Sequence, residues 1–442
     1  MAHLPAAGYR NNSSWNNVGN NGNYWSSTSN NASNAYNLNF NSGNVNMNNN
    51  NKSNNYFSVR LVQNPSPEQV LATDGDSSFL LSAPCWETGL LQELFRSYFC
   101  ARANKRNTYS QIRFERDLGK NLVELYQDII SGRYKVGRSI CFIIDRPVKR
   151  EVFAASFRDR IVHHLLYRYL MPIFEPTFIY DSYSCRVGKG TLFGIERLEH
   201  HIRSVSQNYT RPCYVLKLDL QGYFMSINRQ KLYDMVVDTL RRKGHDAAPH
   251  FHLMVQLLGL VIFNDPTRNC YVKGDRRDWE GLPTSKSLYY AAPGCGLPIG
   301  NLTSQLFSNI YLNSLDQFVK RELHCRHYGR YVDDFYLVDT SRDYLLSCIP
   351  RIRDFLDKEL ALKLHDRKVY LQEQSKGVPF LGCVLKGGRR YLTRRAYRLM
   401  HERLQEVLTY EPNPFQIRSV VNSYRGHCCH FDATGGANRR GE

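Results

Sequence analysis

The sequence predicts an α+β protein, and three observations support that prediction. Apolar residues recur at helical spacing through residues 85–135, and again at 161–170 and 306–319. Two short apolar runs, at 214–220 and 328–338, are typical of buried strands, and aspartate interrupts each of them. The last 57 residues hold 11 Lys and Arg against 5 Asp and Glu, largely in helical patterning. We therefore expect helices around a few short strands, followed by a basic helical region.

Composition narrows the class of protein. A chain of 442 residues has room for two or three domains of roughly 100–200 residues each. Lys and Arg outnumber Asp and Glu by 58 to 40, and a net charge of +18 favours binding to polyanions such as nucleic acids. The 12 cysteines form no CxxC pair, so a disulfide framework is not expected.

The same sequence predicts neither secretion nor a membrane span. The N-terminus has no basic region followed by an apolar run, which a signal peptide would need. No apolar stretch reaches the roughly 18 residues of a membrane-spanning helix. We therefore expect a reducing compartment, most simply the cytoplasm.

The first 64 residues differ in composition from all that follow. Asparagine fills 21 of the first 55 positions, and Asp and Glu are absent from this segment. One interpretation is a low-complexity tail. However, apolar residues alternate from Tyr36 to Phe40, a Ser-Gly pair follows at 42–43, and Val45 and Met47 continue the alternation. This pattern predicts a β-hairpin, so the segment looks like part of a β-rich domain whose polar positions are asparagine.

The elements after residue 64 follow in chain order from their patterning. Helical spacing of leucine and aromatic residues predicts the helices, and short apolar runs bounded by polar residues or proline predict the strands. The predicted elements are helices within Leu90–Tyr98 and Leu118–Ile129, a strand at Ile140–Ile144, a helix at Ile161–Leu170, a strand at Tyr214–Leu220, a helix at Leu306–Val319 and an apolar run at Tyr328–Val338 broken by Asp333-Asp334.

Asp219, Asp333 and Asp334 are the candidate catalytic residues. A carboxylate inside an apolar strand is costly unless it is paired or binds a metal, and two adjacent acids raise each other's pKa. Two divalent cations would remove that cost, and Mg²⁺ combines a few carboxylates with water and phosphate oxygens. The alternative is structural: Asp219 would cap a strand, and Asp333-Asp334 would form a turn.

Several sequence boxes resemble those of reverse transcriptases. The Tyr-Val-Asp-Asp box at 331–334 is similar to the signature of these enzymes. Residues 157–164 resemble the fingers box of the bacterial and group II intron enzymes, residues 217–224 the first palm box, and Phe380-Leu381-Gly382 the primer grip. The resemblance covers about residues 85–430, with the boxes in the family's order.

The resemblance implies a right-hand polymerase with fingers, a palm built on a small antiparallel sheet, and a helical thumb. It implies an Asn-rich segment at 1–64, an N-terminal extension and fingers at 65–212, a palm with a finger insertion at 213–385 and a basic helical thumb at 386–442. Two Mg²⁺ ions, or Mn²⁺, would bind the three aspartates. The expected partners are template RNA, primer, cDNA and dNTPs.

Other roles are carried over from the family by position. Arg150 lies where the family places an arginine that contacts the incoming triphosphate, and Arg158 belongs to the fingers box. Phe224 lies where an aromatic gate clashes with a ribose 2′-hydroxyl, although Tyr223 takes that place if the register differs. Lys368 matches the family's candidate for protonating pyrophosphate. Each of these residues could instead be an ordinary surface or core residue.

The box at residues 296–305 departs from the usual pattern. Ile299 replaces the family's glutamine before Gly300, and Gln305 replaces a proline. An apolar Ile299 cannot make the hydrogen bonds that help to fix the nascent base pair, and one lost bond is worth about 0.5–1.5 kcal/mol, or roughly three- to tenfold in discrimination. The variant box, with the segment at 273–283, resembles the reverse transcriptases of diversity-generating retroelements, which miscopy template adenines.

That resemblance also suggests an origin for the Asn-rich segment. In these elements the template RNA comes from a repeat that matches the end of a variable target gene. Asparagine codons begin with two adenines, so translation of an adenine-rich template would give a peptide such as residues 1–63. A small basic accessory protein is the expected partner of the polymerase. The alternative is an Asn-rich tail unrelated to any template.

Two rival functions and one rival site remain at this point. The chain could be a group II intron or phage-defence reverse transcriptase, although no HNH-like Cys/His pattern follows the predicted thumb. It could also be a polymerase relic that only binds RNA, although the three aspartates are intact. A zinc site at 427–430 is not expected, because adjacent ligands rarely close one tetrahedral site.

Overall fold

The computed structural model describes residues 89–103, 108–146, 148–411 and 413–432. It also describes the backbone of the strands at 9–11, 14–16, 22–29, 34–40, 45–51 and 55–57. The chain divides into two compact units, Met1–Leu80 and Leu81–Glu442.

The first unit contains two antiparallel sheets. Its strands are β1 (Tyr9–Asn11), β2 (Ser14–Asn16), β3 (Gly22–Ser29), β4 (Asn34–Phe40), β5 (Val45–Asn51) and β6 (Asn55–Phe57), in the orders β2-β1-β6 and β3-β4-β5. Phe40 pairs with Val45 where β4 meets β5, which confirms the predicted hairpin. Alternating apolar residues therefore specify strands here despite the asparagine content.

The helices of the second unit include those predicted within 85–135, at 161–170 and at 306–319, together with helices that were not predicted. They are α1 (Leu90–Arg102), α2 (Tyr109–Glu115), α3 (Leu118–Ile130), α4 (Phe157–Phe174), α5 (Thr191–Val205), α6 (Tyr223–Ser226), α7 (Arg229–Arg242), α8 (Phe251–Ile262), α9 (Leu302–Arg321), α10 (Arg342–Leu360), α11 (Arg394–Tyr410) and α12 (Pro414–Cys428). Short 3-10 helices span Glu175–Thr177, His245–Ala247, Pro266–Arg268, Arg276–Trp279, Thr284–Lys286, Leu288–Tyr290, Asp366–Lys368 and Gln374–Lys376.

The strands of the second unit form three small sheets. They are β7 (Ser139–Ile144), β8 (Arg150–Ala154), β9 (Tyr214–Asp219), β10 (Cys270–Val272), β11 (His327–Tyr331), β12 (Asp334–Asp339), β13 (Tyr370–Glu373), β14 (Val378–Phe380), β15 (Cys383–Lys386) and β16 (Arg389–Leu392). The sheet orders are β10-β7-β8, β11-β12-β9-β13 and β14-β15-β16. All pairs in the four-stranded central sheet are antiparallel, as expected for a small α+β sheet.

The core lies where α4 and α9 pack together beside the central sheet. The predicted apolar face of α9 is buried: Phe307, Ile310, Tyr311, Leu315 and Phe318. The N-terminus of α4 is capped by Ser156, whose Oγ accepts a hydrogen bond from Asp159 N at 3.2 Å. These two helices thus form a rigid support behind the strands that carry the aspartates.

The C-terminal region differs in one respect from the predicted helical thumb at 386–442. The hairpin of β15 and β16 continues the third sheet to Leu392, so the first helix begins at Arg394. Each of these strands has only four residues, which is too few for its patterning to distinguish a strand from a helix. Among the described residues, no helix combines the length and apolarity needed to cross a membrane.

Candidate active site

The three aspartates lie together at one end of the central sheet, where its two inner strands β9 and β12 meet the turn after β11. Asp219 is the last residue of β9 and Asp334 the first of β12, and the two are direct partners in the antiparallel register. Tyr331 pairs with Asp334, so Val332 and Asp333 form a two-residue turn between β11 and β12. A shift of one residue would turn these side chains to the other face of the sheet, so the apolar register fixes the site.

The backbone of this turn is strained, and a buried arginine beneath it stabilises it by a hydrogen bond. Val332 has a φ of 57°, which is uncommon for a β-branched residue. Two-residue hairpin turns need such a conformation at their first position. The buried guanidinium of Arg330 donates a hydrogen bond from Nη1 to the Val332 carbonyl at 2.9 Å. Because Arg330 also forms a buried pair with Asp316, at 2.6 Å between Nη2 and Oδ2, the turn is anchored to α9.

Burial and mutual repulsion shape the ionisation of the aspartates. Burial raises the pKa of Asp333, and the nearby Asp219 carboxylate raises it further. Burial also raises the pKa of Asp334 to about 6, and the charges of Asp219 and Asp333 add to the increase. The three carboxylates thus form one cluster of negative charge that a cation would stabilise.

Two lysines neutralise part of this cluster. Lys368 Nζ lies 2.9 Å from Asp219 Oδ2, and Lys217 Nζ lies 3.9 Å from Asp334 Oδ1. Within the described ranges, no set of three or more His, Cys, Asp or Glu side chains is grouped so as to hold a metal ion. The carboxylate oxygens suit a hard divalent cation, but Asp219 would first have to turn away from Lys368.

Arg150 and Arg158, the two candidate nucleotide-binding arginines, lie in different surroundings. Arg150 is exposed at the start of β8, and its charge is near enough to the aspartate cluster to lower the pKa of Asp333. Arg158 instead pairs with Asp128 at 2.7 Å and lies over the Tyr134 ring, 5.0 Å from its centre. The structure therefore brings Arg150 to the site and places Arg158 in a contact between α4 and α3.

The structure distinguishes the two candidate gate residues. Tyr223 is buried, and its hydroxyl donates to the Ser308 carbonyl at 2.7 Å. The Phe224 ring is half-buried, and its carbonyl accepts a hydrogen bond from Leu297 N at 2.8 Å. Because the Tyr223 ring is held in the core, Phe224 is the one that can present a surface to a ligand.

The variant box lies against β8. Ile299 is half-buried in a small apolar cluster with Phe153, and its carbonyl accepts a hydrogen bond from Phe153 N at 2.8 Å. Gly300 has a φ of 120°, and a Cβ there would lie 2.8 Å from Val152 Cγ1. Gln305 lies on the exposed side of α9, and no described hydrogen bond joins it to the aspartates.

The segment that resembles a primer grip lies beside the central sheet. Phe380 ends β14, and its ring meets the Tyr336 ring edge-on with centroids 5.1 Å apart. Leu381 and Gly382 then turn the chain with φ values of 48° and 85°. Tyr336 lies two residues after Asp334 on β12, so this turn is coupled to the strand that carries the aspartate.

A family comparison decides what kind of site this is. The family model described as "Reverse transcriptase (RNA-dependent DNA polymerase)" matches residues 149–385, which is more than half of the chain. The chain belongs to the reverse transcriptase family. It is therefore an RNA-directed DNA polymerase, a nucleotidyltransferase, and reverse transcriptase domains generally use divalent metal ions with template RNA, primer and dNTPs.

Other comparisons give more distant similarity. A second model, a domain of unknown function (DUF8237), matches residues 1–62. The reverse transcriptase is 24% identical over 303 residues to Protein YkfC of Escherichia coli (strain K12), which covers 60% of this chain and 71% of that protein. Apo telomerase from Candida tropicalis, truncated from its C-terminal domain, matches with a TM-score of 0.41 and 12% identity, over 61% of this chain and 59% of that one. Telomerase from Candida albicans, in complex with a fragment of telomeric RNA, matches with a TM-score of 0.41 and 11% identity, over 77% of this chain and 69% of that one.

Arg330 and Glu151 are buried charged residues of this reverse transcriptase that the sequence patterning does not predict. The run Tyr328–Val338 was predicted to be apolar apart from its aspartates, which overlooked Arg330. An arginine inside an apolar run is itself a signal of a buried partner, because an unpaired buried charge is costly. Glu151, which is 1% exposed, was also missed. Its three hydrogen-bond donors lie far away in the chain, so local sequence gives no sign of them.

Proposed function

We propose that Asp219, Asp333 and Asp334 hold two divalent ions, Mg²⁺ or Mn²⁺, at which the enzyme extends a primer on an RNA template. The observation that carries the proposal is the paired register of Asp219 and Asp334, together with the raised pKa of Asp333 and Asp334. When bound, the ions activate the primer 3′-hydroxyl and stabilise the leaving pyrophosphate.

The chain's own residues would orient the reactants. Lys368, released from Asp219, keeps its ammonium beside the cluster and can donate a proton to the leaving pyrophosphate. Arg150 would bind the triphosphate, since a guanidinium holds its charge and makes paired bonds to phosphate oxygens. Arg158 would first have to leave Asp128, so its contacts favour Arg150 for this role. The Phe224 ring would exclude a ribose 2′-hydroxyl.

Primer extension with Asp333→Asn tests the metal site. The substitution keeps the size of the side chain and removes a charged ligand, so cDNA synthesis on a defined RNA with Mg²⁺ should fall by about a hundredfold or more. Asp343→Asn is the matched control, because Asp343 is an exposed aspartate in the first turn of α10. Equal, wild-type activity in the two variants would exclude the three-aspartate site, whereas absence of cDNA from the wild type would favour a scaffold that only binds RNA.

We assign the parts of a right hand to the observed elements. The sheet β10-β7-β8, with the helices α1 to α5 before residue 212, would form the N-terminal extension and fingers, and the central sheet with α9 would form the palm. The hairpin of β15 and β16 would join the palm to a thumb made of α11 and α12. The basic residues of that region would follow the template–primer duplex, because phosphate contacts release counterions.

We further propose that the enzyme makes adenine-directed errors in mutagenic retrohoming, as in a diversity-generating retroelement. Support comes from Ile299, whose apolar side chain packs beside Phe224 and Phe153 and offers no hydrogen bond to a base pair. The separate compact unit at the N-terminus and its separate family match over residues 1–62 agree with an origin of that segment as a translated template repeat. A small basic accessory protein would be a partner in this role.

Sequencing of the cDNA tests this role. Errors concentrated opposite template adenines in the wild type, and reduced roughly three- to tenfold in Ile299→Gln, are expected because glutamine restores a hydrogen-bonding side chain. A near-repeat beside the gene, differing at adenines, is expected in the neighbouring DNA. Faithful cDNA and no such repeat would favour a group II intron or phage-defence enzyme instead.

A further inference from the structure

The segment between β10 and the variant box forms a lid over one face of the sheet β10-β7-β8. It contains the 3-10 helices Arg276–Trp279, Thr284–Lys286 and Leu288–Tyr290. Leu288 is buried with Phe153 of β8, and the Tyr289 ring meets the Phe153 ring with centroids 5.8 Å apart. None of these residues has a role in the chemistry proposed above.

Glu151 joins this segment to β8. Its carboxylate is buried and accepts three hydrogen bonds, from Trp279 Nε1 at 2.7 Å, Ser287 Oγ at 2.8 Å and Leu288 N at 2.7 Å. A buried carboxylate is costly unless such donors surround it, and bonds to a charged acceptor are stronger than neutral ones. All three donors belong to the lid segment, so the lid and the strand are held as one unit. We name Glu151, Trp279, Ser287 and Leu288 the Glu151 clamp.

The Glu151 clamp lies next to the residues proposed to bind the nucleotide. Arg150 precedes Glu151 on β8, and successive side chains of a strand point to opposite faces. Fixing Glu151 on one face therefore fixes the direction of Arg150 on the other. Lys149 adds a second tie to the lid, since its Nζ donates to the Glu280 carbonyl at 2.7 Å.

The Glu151 clamp also packs near Phe224, the residue proposed to exclude a ribose 2′-hydroxyl. The cluster that contains Leu288 and Phe153 also packs against Phe224 and Ile299. Phe153 N donates to the Ile299 carbonyl at 2.8 Å, so β8 carries the position of the variant box. One buried carboxylate thus links Arg150, Phe224 and Ile299 through the strand between them.

We propose that Glu151 is a positioning residue whose clamp sets the affinity of the enzyme for the incoming dNTP. This inference rests on the nucleotide site of the proposed function. Loss of one donor would let β8 shift against the lid, which would weaken binding of the triphosphate and sugar. The aspartates stand on a different sheet, so the chemical step should be spared.

Trp279→Phe, Ser287→Ala and Glu151→Gln test the clamp. Trp279→Phe keeps an aromatic ring and removes one hydrogen bond to the carboxylate, Ser287→Ala removes another with little change of shape, and Glu151→Gln removes the charge. We expect KM for the dNTP to rise by roughly three- to tenfold in each variant, with kcat within about twofold of the wild type. Combining Trp279→Phe with Glu151→Gln should cost less than the product of the single effects, because the first removes the Trp279 hydrogen bond and the second weakens that same bond.

Tyr98→Phe is the matched control. The Tyr98 hydroxyl donates to Glu115 at 3.0 Å, and that carboxylate also binds Gln111 and Arg102. Tyr98→Phe therefore removes one hydrogen-bond donor from a carboxylate that, like Glu151, has three donor residues, here among the N-terminal helices. An equal KM change in the control, or a fall in kcat with KM unchanged in the clamp variants, would overturn the positioning role.

A binding measurement separates failure of the clamp from failure of the proposed catalysis. The Kd of the next complementary dNTP is measured on the enzyme bound to an RNA template and a dideoxy-terminated DNA primer. Weaker binding in the clamp variants supports the inference even if the wild type makes no cDNA, in which case only the proposed catalysis fails. Wild-type binding in all the clamp variants, or a wild type that binds no dNTP, overturns the inference.

Discussion

Arg330 and Asp316 form a fully buried ion pair directly beneath the turn that carries Asp333. The guanidinium makes two bonds to the carboxylate, at 2.7 Å from Nε and 2.6 Å from Nη2. Tyr328 donates to the same carboxylate at 2.7 Å. Buried pairs often contribute little net stability over apolar residues of similar size, so the pair is better explained by the contact of Arg330 with the Val332 carbonyl.

A pair of variants separates these two effects. Arg330→Met alone leaves the Asp316 charge unpaired and should lower the free energy of unfolding by about 3–5 kcal/mol. Combining Arg330→Met with Asp316→Leu and Tyr328→Phe removes both charges of the pair and the hydroxyl that donates to Asp316, so most of the stability should return. Activity should stay low by about a hundredfold, because the turn has lost its anchor. Urea unfolding and primer extension measure the two quantities, and recovery of both together would contradict the anchoring role.

His163 gives a pH dependence of stability. Burial between α4 and α9 lowers its pKa to about 4, and its Nδ1 lies 2.7 Å from Thr303 Oγ1. Below pH 6.5 His163 binds a proton in the unfolded chain but stays neutral in the folded chain. The free energy of unfolding therefore falls as pH drops from 6.5 towards 4. The loss attributable to His163 is about 3 kcal/mol across that window.

His163→Gln isolates this contribution from the other titrating groups. Glutamine can still bond to Thr303 but does not titrate, so the variant should lose less stability than the wild type between pH 6.5 and 4. Urea unfolding at matched pH values measures the difference. Parallel curves for the two proteins would show that His163 takes up a proton in the folded state.

At the scale of elements, the close approach of the variant box to β8 depends on Gly300. A Cβ at this position would lie 2.8 Å from Val152 Cγ1 and 3.1 Å from the Phe153 carbonyl oxygen, and its φ of 120° is strained for any other residue. Gly300→Ala should therefore cost about 1–3 kcal/mol in the free energy of unfolding. It should also raise KM for the dNTP, because β8 carries Arg150.

Gly387→Ala is the control for backbone strain alone. Gly387 has a φ of 56° in the turn between β15 and β16, and a Cβ there would meet no atom within 4 Å. Thermal unfolding and steady-state primer extension compare the two variants. If Gly300→Ala changes KM no more than Gly387→Ala does, the contact with β8 is not part of the nucleotide site.

For the whole molecule, the sequence predicts the elements better than their assembly. The strand at Ile140–Ile144 and the helix at Leu306–Val319 are confirmed within β7 and α9, because local apolar spacing is enough to specify each of them. The resemblance identified the aspartates, but the register that pairs Asp219 with Asp334 joins residues far apart in the chain. The burial of Glu151 is not predicted for the same reason, because Trp279, one of its hydrogen-bond donors, is 128 residues away in the chain. Long-range polar contacts leave no local pattern from which to predict them.

The division into two units predicts that the first is dispensable for polymerisation. The main hydrophobic cluster of the described residues is built from residues between Leu90 and Leu364, and the reverse transcriptase match begins at residue 149. Removal of residues 1–64 should therefore leave the melting temperature of the second unit unchanged. The rate of primer extension should stay within about twofold of that of the full chain. Calorimetry and primer extension on both proteins measure this. Loss of cDNA synthesis without a change in melting temperature would instead give the Asn-rich segment a role in the reaction, and would count against its origin as translated template.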